Sequence, residues 1–250
     1  MSWFEDWFNT PYYHILYKDR DFVEAENFIT HLTKELQLPN ESKIIDLACG
    51  KGRHSVFLHQ LGYEVLGVDL SEESILHNKK FETSTPHSLT FKVHDMRNEL
   101  YPEICAEKVD AVFNLFTSFG YFDDEEEDKK VFQSVKNVLK KDGIFILDFL
   151  NEKFVKNTLI PETDVKKGDL DFKIKKRIEE NYVIKDIYFE DEGKDFHYFE
   201  KVKLSTLEQI KALAENCGFE VIKIWGNYNL DSFDRETSPR CIFQFKYKTK

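Results

Sequence analysis

From residue 43 onward, short runs of β-branched and aromatic residues alternate with stretches whose apolar positions recur every three or four residues. The runs cover residues 43–47, 63–68, 89–93, 109–115 and 143–149. Ser71, with Glu72 and Glu73 behind it, marks one helix start: a hydroxyl accepts from the free N–H groups there, and acids suit the positive end of the dipole. Val131, Val135 and Leu139 stripe a second helix, which Gly143 is expected to close. Such alternation builds βαβ units, and those impose a mostly parallel sheet with helices on both faces.

The flanks read differently. Met1, Trp3, Phe4, Trp7, Phe8, Tyr12, Tyr13, Ile15, Leu16 and Tyr17 crowd the first seventeen positions, so this segment must lie on an apolar surface. Phe22, Ala25, Ile29, Leu32 and Leu36 then predict an amphipathic helix that stops before Pro39. Between about 165 and 204, Leu170, Phe172 and Ile174 alternate with charges, as do Phe196, Tyr198, Val202 and Leu204. With the acidic turn Glu190-Asp-Glu-Gly193 between them, these predict a small antiparallel meander. The core then resumes with Ser205-Thr-Leu-Glu208, read as a capping box, a buried stripe of Leu207, Ile210, Leu213 and Cys217, and Gly218 at the end. Strands near 220–226 and 240–247 should form a hairpin at the sheet edge. The organisation expected is therefore an aromatic lid and helix over 1–38, a core over 39–160 and 204–250, and an inserted β subdomain over 161–203.

Charge narrows the function. The 250 residues carry 35 Lys+Arg against 46 Asp+Glu, a net −11. That field repels polyanions, so DNA and anionic membranes are not expected partners, and RNA only weakly so. No apolar run approaches the roughly 18 residues of a membrane span; Gly143-Ile-Phe-Ile-Leu-Asp-Phe-Leu150 is broken by Asp148. The acidic N-terminus lacks the basic region of a signal peptide. Cys49, Cys105, Cys217 and Cys241 show neither CxxC pairing nor metal-ligand spacing, so reduced thiols, a cytoplasmic setting and no metal are expected. The acids 123–128 are read as a solvated helix start, and Lys166-Lys167 with Lys175-Lys176-Arg177 as solvated strand faces.

The chemistry concentrates at strand ends. In Ile44-Ile-Asp-Leu-Ala-Cys-Gly-Lys-Gly-Arg-His54 a strand runs into Gly50-x-Gly52 and then a helix. Such glycines permit a sharp turn and let a ligand approach the helix N-terminus. A dinucleotide fingerprint would place a third glycine where Ser55 stands, and Asp46 upstream favours a ligand with an ammonium group over a diphosphate. Asp69, about 20 residues beyond the glycines, suits a ribose diol. His94-Asp95-Met96 offers an acid for an adenine amino group and an apolar side chain for its ring.

This ordered set resembles the Rossmann-like S-adenosylmethionine-dependent methyltransferases, in Asp46-Leu-Ala-Cys-Gly-Lys-Gly52, Gly67-Val-Asp-Leu70 and His94-Asp-Met-Arg97. The resemblance covers about 40–150 and 204–250. More loosely, the chain is similar to small-molecule N-methyltransferases of the sugar-amine and glycine type. That match rests on Tyr13-His-Ile-Leu-Tyr17, Phe116-Thr-Ser-Phe-Gly-Tyr121, the meander and Tyr198-Phe-Glu-Lys-Val-Lys203. The resemblance implies S-adenosyl-L-methionine as cofactor. Asp46, Ala48 and Gly50 would border its methionine part with Gly52 in the turn, Asp69 and Leu70 its ribose, and Asp95 and Met96 its adenine. Asn114 would face the methionine moiety, Arg20 its carboxylate, and Tyr13 and Tyr17 would cover the cofactor and reach the reaction centre. The chain departs from Asn-Pro-Pro-Tyr signatures by having Asn114-Leu-Phe-Thr117, so methylation of DNA adenine or of glutamine is not expected.

Methyl transfer by in-line displacement requires alignment above all, and proximity supplies roughly 7–11 kcal/mol. A neutral amine needs no base, although His14 or His197 could take a proton. The expectation is a methyltransferase for a small polar acceptor, an amine first, working as a monomer or homodimer. A tRNA-modifying enzyme, or a non-catalytic protein that keeps the cofactor pocket, are the alternatives.

Overall fold

The computed structural model describes residues 3–18 and 22–247. In chain order it comprises α1 (Trp3–Phe8), α2 (Pro11–Leu16), α3 (Phe22–Leu36), β1 (Lys43–Leu47), α4 (Arg53–Gln60), β2 (Glu64–Asp69) and α5 (Glu72–Asn78). There follow β3 (Leu89–Val93), β4 (Val109–Asn114), α6 (Glu125–Val138), β5 (Leu139–Leu150) and α7 (Glu152–Thr158). Strands β6 (Glu162–Lys167), β7 (Leu170–Glu179), β8 (Tyr182–Asp191) and β9 (Lys194–Lys203) come next, then α8 (Leu207–Asn216), β10 (Phe219–Trp225) and β11 (Arg240–Tyr247).

Seven strands form one sheet in the order β10-β11-β5-β4-β1-β2-β3. From β5 to β3 every pairing is parallel, while β11 runs antiparallel to both β5 and β10. This is the Rossmann-like α/β class, with its antiparallel edge hairpin. Because neighbouring strand residues face opposite ways, the sheet separates two cores. Ile45, Val112, Phe145 and Phe243 meet α6 and α8 on one face. Ile44, Ala111, Ile146 and Ile242 meet α3 and α4 on the other. Both faces are buried, which is why these strands read as continuous apolar runs.

Strands β6 to β9 make a separate antiparallel sheet in sequential order. Glu192 (φ 50°) and Gly193 (φ 73°) form the tight turn between β8 and β9. Against this sheet lie α1 and α2: Trp7 and Leu16 bury with Phe172, Ile174, Ile187 and Phe189 in a third core. Thr10 starts α2 by accepting the Tyr13 N–H at 3.1 Å, with Pro11 as its first residue. The N-terminal helices are thus divided: α2 and Trp7 of α1 pack on the insert, Phe4 of α1 joins the core beside α6, and α3 packs on the other face of the main sheet.

Three local expectations are corrected. Leu139 leaves α6 with an extended backbone and opens β5, so Gly143 lies inside a strand. The pairing there jumps from Val109–Leu139 to Ala111–Ile144, and the intervening residues bulge out. The capping box of α8 is Thr206 with Gln209, one residue beyond the expected position, and each side chain caps the other's backbone. The acids at the start of α6 are not all solvated: Asp128 is buried, 2.7 Å from Lys203 Nζ on β9.

Candidate functional site

The order β3-β2-β1-β4-β5 reverses direction between β1 and β4, the point where open α/β sheets bind ligands beyond their strand ends. At the end of β1 the chain turns through left-handed backbone at Ala48 (φ 60°), Gly50 (φ 53°) and Gly52 (φ 71°). The Cys49 N–H donates to the Val68 carbonyl at 2.9 Å, which ties this loop to β2. Asp69, the last residue of β2, accepts the Gly50 N–H at 2.7 Å and the Ser71 N–H at 2.8 Å. From α5, Asn78 Nδ2 donates to the Gly50 carbonyl at 2.7 Å. A Cβ on Gly50 would meet no protein atom within 4 Å, so this glycine leaves backbone open to a ligand. At Gly52 the reason is close packing, since a Cβ would stand 2.9 Å from the Phe91 ring.

The loop borders a cavity of about 430 Å³. Asp69, Leu70, Asp95 and Met96 line it where β2 and β3 end, and Leu115, Phe116 and Ser118 line it beyond β4. Phe4, Phe8, Tyr13, His14 and Tyr17 close it from the N-terminal helices. Burial raises the Asp69 carboxyl above its ordinary range, against the backbone N–H groups of Ser71, Gly50 and Leu70 that favour its charge. At Asp95 burial acts the same way, but Arg97 overcomes it. The guanidinium donates at 2.5–3.0 Å, the Arg97 N–H adds a bond at 2.9 Å, and the carboxyl is held low. A second arm of Arg97 reaches Glu127 on α6 at 2.6 Å.

Several expected residues therefore meet: Tyr13, His14, Tyr17, Ala48, Gly50, Asp69, Leu70, Asp95 and Met96 share one cavity. Others do not line it. Asp46 is buried beneath the loop, where its Oδ2 accepts the Ser55 hydroxyl at 2.6 Å. Burial pushes Asp46 up to about 6, with the Ser55 hydroxyl opposing the rise and the Asp69 charge adding to it. Asn114 is also buried, its Nδ2 donating to the Leu47 carbonyl at 3.0 Å, so it braces β4 against β1. Gly52 caps α4 behind the loop. His197 is corrected most sharply: it stands on the insert, bonded to Asp186 at 2.9 Å and stacked on Tyr188 at 4.4 Å, away from the cavity. Arg20 lies outside the described residues. Cys49, by contrast, borders the cavity; it is largely buried, and burial first, then Asp46 and Asp69, push its thiol up, the opposite of an activated nucleophile.

Tertiary contacts add residues that sequence spacing could not reveal. Glu200 on β9 accepts the Tyr17 hydroxyl at 2.6 Å and the Trp7 indole N–H at 2.9 Å, joining the lid to the insert. Lys185 on β8 bonds the same Tyr17 hydroxyl and lies 3.5 Å from Glu200. Tyr121 donates to the Thr117 carbonyl at 2.6 Å and packs its ring 5.5 Å from Phe8. Ser55 had a signal: the hydroxyl standing where a dinucleotide motif would have glycine is the partner of Asp46.

Comparison with known proteins agrees with this geometry. Residues 44–143 match the family model described as a methyltransferase domain. A glycine/sarcosine N-methyltransferase of Aphanothece halophytica is 35% identical over 133 residues, 53% of this chain and 48% of that protein. A dTDP-3-amino-3,4,6-trideoxy-alpha-D-glucopyranose N,N-dimethyltransferase of Streptomyces venezuelae is 26% identical over 76% of this chain and 78% of its own. Among solved structures, an S-adenosylmethionine-dependent methyltransferase from Clostridium acetobutylicum ATCC 824 superposes with a TM-score of 0.78. It is 21% identical and covers 95% of this chain and 96% of its own.

Proposed function

We propose that this chain, an S-adenosylmethionine-dependent methyltransferase whose residues 44–143 match a methyltransferase domain, transfers methyl groups to a small polar acceptor, an amine. The observation that carries the reading is the enclosure of one cavity by two different walls. Strand ends offer Asp69, Asp95, Met96 and the open backbone of Gly50; the opposite wall is the aromatic lid of Phe4, Phe8, Tyr13 and Tyr17. Its volume, about 430 Å³, lies in the range of small-molecule sites, roughly 300–1,000 Å³.

These residues fit the cofactor. Asp69 would take the ribose hydroxyls with the lone pairs left by Gly50 and Ser71, while Asp95 and Met96 would take the adenine. When bound, S-adenosylmethionine supplies a methyl group made electrophilic by its sulfonium. The aromatic lid excludes water, and its ring faces favour positive charge, which an amine gains on methylation. His14 lines the same chamber, 3.6 Å from Glu73, and is placed to take the amine's proton. The two N-methyltransferase relatives, one named for glycine and sarcosine and one for an amino sugar, support nitrogen as the accepting atom.

Two measurements test this. At about 100 times its dissociation constant, S-adenosylhomocysteine should stabilise the protein by roughly 2.7 kcal/mol, a rise in Tm of around 5–10 °C for a domain this size. NAD should leave the Tm unmoved, and the reverse pattern would refute the cofactor. Labelled methyl groups should enter a panel of small amines, amino sugars and amino acids included. Incorporation into bulk RNA alone would overturn the acceptor class.

A further inference from the structure

Phe116 and Thr117 follow β4 with φ 64° and 61°, two successive non-glycine residues in left-handed backbone. Side-chain-bearing residues, a β-branched one above all, avoid this region, so the pair persists only where surrounding contacts hold it. Those contacts converge on Asp148 of β5, which is fully buried. Its Oδ2 accepts the Phe116 N–H at 2.8 Å and the Tyr228 hydroxyl at 3.1 Å. Its main-chain carbonyl accepts the Thr117 N–H at 3.1 Å. Arg240, at the start of β11, donates Nε to Asp148 Oδ1 at 2.8 Å and Nη2 to the Thr117 hydroxyl at 2.6 Å. Rings complete the arrangement: Phe116 stacks on Tyr228 at 6.1 Å and 17°, and the Arg240 guanidinium lies 5.7 Å over Tyr228.

The place of this network in the sheet gives it a purpose. Asp69 and Asp95 line the cavity where β2 and β3 end, on one side of β1; Leu115, Phe116 and Ser118 line it beyond β4, on the other side. A nucleoside held at the β2 and β3 ends would therefore extend its amino-acid tail across β1 toward Phe116. A buried ion pair adds little net stability over apolar residues of the same size, because desolvation offsets its attraction. Its directional bonds to the strained Phe116 amide and to the Thr117 hydroxyl do fix shape. We infer that Asp148 and Arg240 are positioning residues that hold Phe116 and Thr117 left-handed, and so set the cavity wall facing the cofactor's amino-acid tail. The inference rests on the methyltransferase reading above.

The test compares two ligands in the full chain. S-Adenosylhomocysteine carries the tail; 5′-methylthioadenosine has the same nucleoside without it. In Asp148→Asn and Arg240→Lys, calorimetry should show S-adenosylhomocysteine binding about tenfold weaker and 5′-methylthioadenosine within twofold of wild type. Amide hydrogen exchange at Phe116 and Thr117 should quicken relative to β1. Equal weakening of both ligands would mean general loosening and overturn the inference, as would unchanged binding of both. If Asp148→Asn does not fold, Arg240→Lys decides by the same criterion. A wild-type protein that bound neither ligand would instead refute the cofactor assignment.

Discussion

Asp46 and Asp69 are two acids one strand apart whose surroundings give them different work. Asp69 reaches the cavity while holding the loop through the Gly50 N–H and the start of α5 through the Ser71 N–H; Asp46 stays beneath, facing Ser55. Spacing made both of them ligand candidates, Asp46 for an ammonium group and Asp69 for a ribose, because a carboxylate at a strand end looks the same whether a ligand or a hydroxyl meets it. The Asp46 environment has a pH signature. Its folded pKa, about 6, stands above the ordinary 3.8, so the folded state holds the proton more tightly. That contribution is fully present below about pH 4 and is lost as pH rises through about 6. The two-unit difference corresponds to about 3 kcal/mol. Asp46→Asn keeps an acceptor for Ser55 and removes the titration. Urea denaturation from pH 4 to pH 8 should therefore show wild-type stability falling by about that amount relative to the variant, and parallel curves would contradict the assignment.

Among the elements, those with a strong local period were legible. The strand expected at 43–47 is β1, that at 89–93 is β3, and the apolar stripe from Phe22 to Leu36 is α3, since burial repeats at the same interval as the sequence. Boundaries set by competition between neighbours were not. Leu139 fits both a helix stripe and a strand, and pairing with Val109 decides for the strand. Either Ser205 or Thr206 could cap α8, each with an acceptor side chain three residues on. Thr206 does so, accepting the Gln209 N–H at 3.2 Å while Gln209 returns a bond at 2.8 Å. Thr206→Ala should consequently cost about 1 kcal/mol in chemical denaturation, and Ser205→Ala only a few tenths. The opposite ranking would restore the earlier cap.

At the scale of the molecule, α1, α2 and the four-stranded insert pack around one shared core. Trp7 is fully buried between them and bonds Glu200, although 193 positions separate the two residues. Trp7→Ala should destabilise this third core by about 3–5 kcal/mol. Because Trp7 itself does not line the cavity, S-adenosylhomocysteine should still bind within about threefold of wild type, while methyl transfer to small amines falls at least tenfold. Calorimetry and labelled-methyl incorporation measure the two effects, and an equal loss in both would place Trp7 in cofactor binding instead. The 250-residue sequence by itself determined the parallel sheet, the inserted meander and the glycine turn with Asp69 and Asp95, since each is written in local periodicity or short spacing. Only the tertiary structure decided that Asp46 turns to Ser55, that His197 leaves the cavity, that Glu200 ties down Tyr17, and that Asp148 meets Arg240. Those partners are brought together by strand order and packing between distant segments, which a one-dimensional pattern does not encode.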